Sequence, residues 1–177
     1  LLDQLSSQAG VSATFDAHGA VTLRATGSGD VLVGGGVVTP IAASTAADGR
    51  LSFTIGGAPF GNATGSLAGL AEAANHVADQ RSALDTVAMQ FAGQLNTAHQ
   101  AGVDANGNAG QALFTGTGAA SLTLASLTAA DVAAATPTSS NGNVLALGAM
   151  RGANDPEATW SGHMATQAQA TASARAQ

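Results

Sequence analysis

The chain has no cysteine, no lysine and no tyrosine, and it is poor in aromatic residues and in charge. Without cysteine, disulfides and thiolate metal sites are excluded, which is compatible with an extracellular location. The cations are Arg24, Arg50, Arg81, Arg151 and Arg175, scattered along the sequence. A nucleic-acid partner needs a clustered basic footprint, so none is expected. The net charge of −6 bears on solubility rather than on fold. Aromatics make up 3% of the 177 residues, and much of the 45% hydrophobic content is alanine. A core of Ala, Val and Leu buries little area per residue, so thin helix-on-helix packing suits this composition better than one thick core. No apolar run approaches the roughly 20 residues that span a bilayer, and no membrane partner is expected. The opening "LLDQLSSQAG" lacks the charged and apolar regions of a cleaved signal peptide. Leu1, Leu2 and Leu5 read as the last turns of a helix already under way, so the expectation is a fragment of a longer polypeptide.

What is present divides into two regions, 1–64 and 65–177. Residues 1–9 read as a helix end closed by Gly10. "VSATFDAHGAVTLRA" reads as a hairpin about the turn Asp16-Ala17-His18-Gly19, because Val11, Ala13 and Phe15, then Val21 and Leu23, alternate with polar neighbours. Val31–Val33, Val37–Val38 and Leu51–Ile55 add short strands, giving a small antiparallel β-meander punctuated by glycine. From 66 to 101 no proline interrupts a helical pattern, with Ser66 as its expected N-cap. Leu67, Leu70, Ala74, Val77, Arg81, Leu84, Ala88, Phe91, Leu95 and Ala98 fall at alternating steps of three and four. That is a coiled-coil-like seam of about five heptads, and it calls for a partner helix. Arg81 interrupts the stripe and is expected to snorkel at its edge. A structured loop follows over 102–118. "SLTLASLTAADVAAA" then offers a strand-like run and a helical turn, and "VLALGAMRG" begins a further helix or packed segment. Asp155-Pro156-Glu157 starts a C-terminal helix over 156–177: an acid at the cap, proline first, an acid in the first turn. The expected fold class is α+β, an elongated helical bundle with the small meander attached.

Candidate chemistry is thin. "HQAGVDANGNAGQALFTG" places Asp104, Asn106 and Asn108 at alternate positions, as a calcium loop does. Counted from Asp104, however, the sixth residue is Ala109 where glycine is needed, and the twelfth is Thr115 where glutamate is needed. The run reads as a turn, for which Asn and Gly are suited because they tolerate positive φ. The glycine-rich "GSGDVLVGGG" has no following lysine and opens no helix, so it is no phosphate cradle. His18, His76, His99 and His163 lack HxxxH or HxH spacing, and structural roles are expected for them. No GxSxG elbow occurs. Asp155 and Glu157 fit a helix start better than an acid–base pair. No catalytic, cofactor or metal residues are assigned.

Several segments together resemble a known family. The stretch from Leu95 runs Leu95, Asn96, His99, Gly102, Asp104, Gly107, Gly110 and then Leu113-Phe114-Thr115-Gly116. With the preceding "GSLAGLAEAANHVADQRSALDTVAMQFAGQ", this is similar to the long helix and helix-end motif of flagellar hook-associated protein 1, the FlgK-type hook–filament junction family. "LLDQLSSQAGVSATFDAHGAVTL" and "NGNVLALGAMR" resemble that family's hairpin and Asn-rich segments, in the same order. Leu113 departs from the family's first aromatic, and "AEAANH" from a more charged helix start. The family's terminal axial helices have no counterpart here.

The resemblance implies a structural subunit rather than an enzyme. It also implies export through the flagellar type III apparatus without a cleaved signal, and a place outside the cell in the flagellum. The implied partners are hook protein, the second hook–filament junction protein and further copies of the same subunit, with no cofactor. Other readings are another axial protein (flagellin-like or hook protein), a calcium-dependent secreted adhesin module, and a flagellum-associated hydrolase. The His99–Gly116 motif argues against the first. The second requires calcium at Asp104, and the third requires converging carboxylates in a pocket.

Overall fold

A computed structural model describes residues 2–61, 63–150 and 155–176. Leu1 at the first helix end, Arg151 and Gly152 at the close of "VLALGAMRG", and Gln177 at the last helix end lie outside the described residues. The chain forms two compact units, Leu1–Gln80 and Arg81–Gln177.

The first unit begins with helix α1 (Leu2–Ala9). It stops where expected: Gly10 takes φ +57° and its N–H donates to the Ser6 carbonyl at 2.9 Å. Strands β1 (Val11–Phe15), β2 (Val21–Ala25), β3 (Val31–Gly34) and β4 (Val37–Val38) form an antiparallel sheet in that order. The first hairpin pairs Val11 with Ala25 and Phe15 with Val21. Its turn is held by Asp16, whose Oδ1 accepts from the His18 and Ala20 N–H groups at 2.8 Å each. Gly35 and Gly36 both take positive φ, which a two-residue hairpin turn demands.

A second antiparallel sheet holds β5 (Ile41–Thr45), β6 (Leu51–Ile55) and β7 (Ala58–Pro59). The meander is thus two sheets, parted at Pro40. Strand β5, "IAAST", escapes the sequence reading because alanine and serine carry little β preference and its alternation is weak. Leu23, Ala25, Leu32, Phe53, Ile55 and Phe60 make the buried core, with Leu5, Leu67 and Ala71 packed against it. Both sheets, α1 and the start of the long helix therefore share one apolar centre.

Helix α2 spans Gly65–Gln100. It begins one residue before Ser66, at Gly65, whose φ is +71° and whose missing side chain leaves room for the Ser7 carbonyl. The heptad seam is on the helix but is not its buried line. Leu70, Val77, Leu84 and Phe91 are between 42% and 57% exposed, and Arg81 is exposed too. The covered line runs one residue further on, through Ala71, Asn75, Ala78, Asp85, Ala92, Asn96 and His99. The reason is chemical. The segments facing α2 are strand ends and irregular loops, whose backbone groups need hydrogen-bond partners. Small and polar side chains meet that need, and leucines do not. Asn75 Oδ1 accepts from the Leu51 N–H at 3.0 Å, and Asp85 Oδ1 from the Ala119 N–H at 2.7 Å.

In the second unit, α2 leads into a loop, the short pair β8 (Phe114–Thr115) and β9 (Thr123–Leu124), helix α3 (Gly142–Gly148) and helix α4 (Pro156–Ala176). Asp155 caps α4 as its sequence implies, Oδ1 accepting from the Ala158 N–H at 2.7 Å. The expected strand-like run and helical turn after the loop correspond to β9 and a one-turn 3-10 segment, Ala129–Asp131.

Phe91 touches Phe114, ring centroids 5.4 Å apart and tilted by 59°. Because Phe91 is 42% exposed, its truncation leaves no closed cavity. The full core penalty of roughly 3 kcal/mol expected for a buried phenylalanine therefore does not apply. Phe91→Ala is expected to cost about 1 kcal/mol, from lost area and the ring pair, read as a modest shift of the urea midpoint. A loss as large as that of a fully buried phenylalanine would place Phe91 in the core after all.

Candidate functional site

The motif that follows α2 is brought together as a corner, built by side chains that bond to backbone. Asn96, one turn from the end of α2, holds the returning chain with its amide. Its Oδ1 accepts from the Leu113 N–H at 2.7 Å and the Phe114 N–H at 2.8 Å, and its Nδ2 donates to the Phe114 carbonyl at 2.9 Å. A side-chain amide has the donor and acceptor of a peptide group, so Asn96 acts as a one-residue strand beside Leu113 and Phe114.

His99, three residues on and 2% exposed, holds two further segments. The Ala133 N–H lies 2.8 Å from Nε2, and the Gln111 carbonyl lies 2.6 Å from Nδ1. A backbone N–H can only donate, so Nε2 is the acceptor and the proton sits on Nδ1, donating to Gln111. The two contacts together fix the neutral Nδ1–H tautomer. Asn143, 4% exposed, completes the set by donating from Nδ2 to the Ala133 carbonyl at 2.6 Å. Ala133 is thus held at both its N–H and its C=O.

Two glycines permit this closeness. A β-carbon on Gly102 would overlap the Asn143 side chain and meet the Ala133 carbonyl at 2.5 Å. One on Gly110 would overlap the His99 carbonyl and meet the Ala133 β-carbon at 2.6 Å. Gly110 N–H donates to the Gly102 carbonyl at 3.1 Å, so the two glycines also pair with each other.

Asp104 organises the tip. Its Oδ1 accepts from the backbone N–H groups of Asn106 and Asn108, at 2.8 Å each. Gly107, φ +84°, supplies the positive φ the turn requires. The alternation of Asp104, Asn106 and Asn108 is the signature of this turn, in which Oδ1 takes two backbone donors and Oδ2 lies 3.4 Å from the Asn108 Nδ2. These bonds, that from Asn108 foremost, hold the Asp104 carboxyl below its ordinary value. A carboxyl lowered on folding stabilises the fold above its unfolded value, and that contribution is lost as pH falls through the folded value. Asp104→Ala is therefore expected to lower the melting temperature at neutral pH, with the gap to wild type closing below the usual carboxylate range. A gap that persists unchanged in acid would mean that the charge is not what holds the turn.

Elsewhere, the remaining candidates stay apart. His18 lies in the first hairpin turn, His76 on α2 with its Nε2 3.4 Å from Gln80 Nε2, and His163 on α4 beside Trp160. Among the described residues no three His, Cys, Asp or Glu side chains are grouped as metal ligands would be. An open cleft of about 650 Å³ in the first unit is floored by Phe53 and Phe60, with Glu72, His76 and Asp79 at its rim. Asp79 there pairs with Arg50, which also meets Asp48 at 3.2 Å. Among the described residues no helix is long and apolar enough to cross a membrane.

Sequence reasoning singled out the corner's residues but assigned none of the bonds made by Asn96, His99 and Asn143. One signal was available: two polar residues three apart at the end of a helix, followed by a loop rich in backbone groups without regular partners.

No curated protein matches the chain at a significant level. A family model does, over residues 1–114, from α1 through both sheets and α2 to Phe114, where the corner closes. Its description is the flagellar hook-associated protein FlgK helical domain, a structural part of the bacterial flagellum. With well over half of its length matched, this chain belongs to the FlgK family of flagellar hook-associated proteins.

Proposed function

We propose that the chain is a building unit of the hook–filament junction, working by protein–protein packing in a tubular assembly and catalysing nothing. Hook protein lies on one side of it, the second junction protein on the other, and further copies beside it. It reaches that position by type III export.

The observation that supports packing as its mode of action is the line Leu70, Val77, Leu84 and Phe91 on α2, each at least 42% exposed. Heptad-spaced apolar residues left in water are unfavourable, at about 25 cal/mol per Å² of apolar area, until another helix covers them. An assembly subunit has its neighbours to do so.

These 177 residues contain no cysteine. Leu84→Cys in an otherwise cysteine-free form of the protein gives one thiol, and bifunctional cross-linking of isolated hook–filament junctions then reports what lies against it. Products joining the subunit to its neighbours are expected. Absence of the protein from isolated junctions, or cross-links only within its own chain, would overturn the proposal.

A further inference from the structure

The corner loop carries a chemical feature that its structural role does not use. Asn-Gly occurs twice in the sequence, at Asn106-Gly107 and at Asn141-Gly142. In this dipeptide the glycine nitrogen can reach the asparagine side-chain carbonyl carbon, because no β-carbon on the following residue obstructs the approach. Both asparagines are exposed, but their following glycines sit in different surroundings. Asn106 is exposed at the tip of the turn, and a β-carbon on Gly107 would meet nothing within 4 Å. Gly107 N–H is tied only by a 3.2 Å bond to the Asp104 carbonyl. Gly142, by contrast, opens α3, and a β-carbon there would meet Thr136 Oγ1 at 2.5 Å. The Asn141 Oδ1 accepts from the Ser139 hydroxyl at 3.0 Å.

We propose that Asn106 is a site of spontaneous deamidation in the folded protein, and that folding protects Asn141 from the same reaction. The Gly107 nitrogen attacks the Asn106 side-chain carbonyl carbon and forms a C–N bond. The side-chain nitrogen leaves as ammonia, taking up the proton that the Gly107 nitrogen gives up. Water then opens the cyclic imide at either carbonyl, leaving aspartate or isoaspartate at position 106. No oxidant or reductant takes part. The product places a second carboxylate beside Asp104, whose charge already acts against ionisation of Asp131. The isoaspartyl form also lengthens the backbone inside the Asp104–Asn108 turn.

The test is to hold the purified chain, folded and in concentrated urea, at mildly alkaline pH and physiological temperature. Peptides are then followed by mass spectrometry, with isoaspartyl methyltransferase labelling to detect the rearranged product. In the folded chain the Asn106 peptide is expected to convert several times faster than the Asn141 peptide, and in urea the two rates converge. Asn106→Gln is expected to abolish the early product and leave the slow one. Equal rates in the folded chain, faster conversion at Asn141, or an Asn106 amide that survives folding but converts in urea would each overturn the proposal.

Discussion

Gly110→Ala is expected to destabilise the second unit by roughly 3 kcal/mol or more, enough to leave the corner after α2 unformed under native conditions. Gly110 does not take positive φ, so the penalty is purely steric. The new methyl would have to occupy the space of the His99 carbonyl oxygen and the Ala133 side chain. Neither can yield. The His99 carbonyl belongs to the last turn of α2 and accepts from the Gly102 N–H at 3.1 Å, while Ala133 is gripped by His99 and Asn143. The control is Gly107→Ala, three residues away in the same loop. There the added methyl meets open space, and only the positive φ penalises it, by about 1 kcal/mol. Urea melts followed by amide exchange at Val103, Leu113 and Phe114 separate the two. Equal losses for both variants would show that backbone conformation, and not close approach, governs the loop.

That contrast marks where sequence alone stops. Features decided within a few residues were legible: Gly10 closing α1, Asp16 holding its turn, Asp155 capping α4 and Gly107 serving a turn. Their physics is local, and so is their signal. The glycines at 102 and 110 could be read only as part of a motif, because two of the groups that crowd them, Ala133 and Asn143, lie 23 to 41 positions further along the chain, and the third, the His99 carbonyl, meets Gly110 only once the loop has turned back. Helix α2 shows the same limit more sharply. Its apolar periodicity correctly gave a long uninterrupted helix, since that requires only the pattern and the absence of proline. Which stripe becomes covered depends on what packs there. Strand ends and loops with unpaired backbone groups select Asn75, Asp85, Asn96 and His99 over Leu70, Val77 and Leu84. The candidate corner was visible as a sequence of residues, and its function as a clasp was not, because both ends of each bond must be known.

His99 tests that clasp directly. His99→Ala leaves the Ala133 N–H and the Gln111 carbonyl without partners inside a buried site, and it removes the ring that fills it. Each orphaned group costs about 1–3 kcal/mol, so a total loss of about 3 kcal/mol is expected once the site relaxes and water enters. His99→Asn divides the effect. The asparagine Nδ2 falls near the position of the imidazole Nδ1 and can keep the bond to Gln111, but nothing reaches Ala133. Its loss is expected to be about half that of alanine, with the deficit confined to the Ala133 amide in hydrogen exchange. The tautomer gives an independent readout: ¹⁵N spectra of the folded protein are expected to show His99 protonated at Nδ1 and bare at Nε2. Wild-type stability in His99→Ala, or a proton on Nε2, would mean that the end of α2 is not joined to Ala133 in the way described. The corner would then rest on Asn96 and the two close-packed glycines alone.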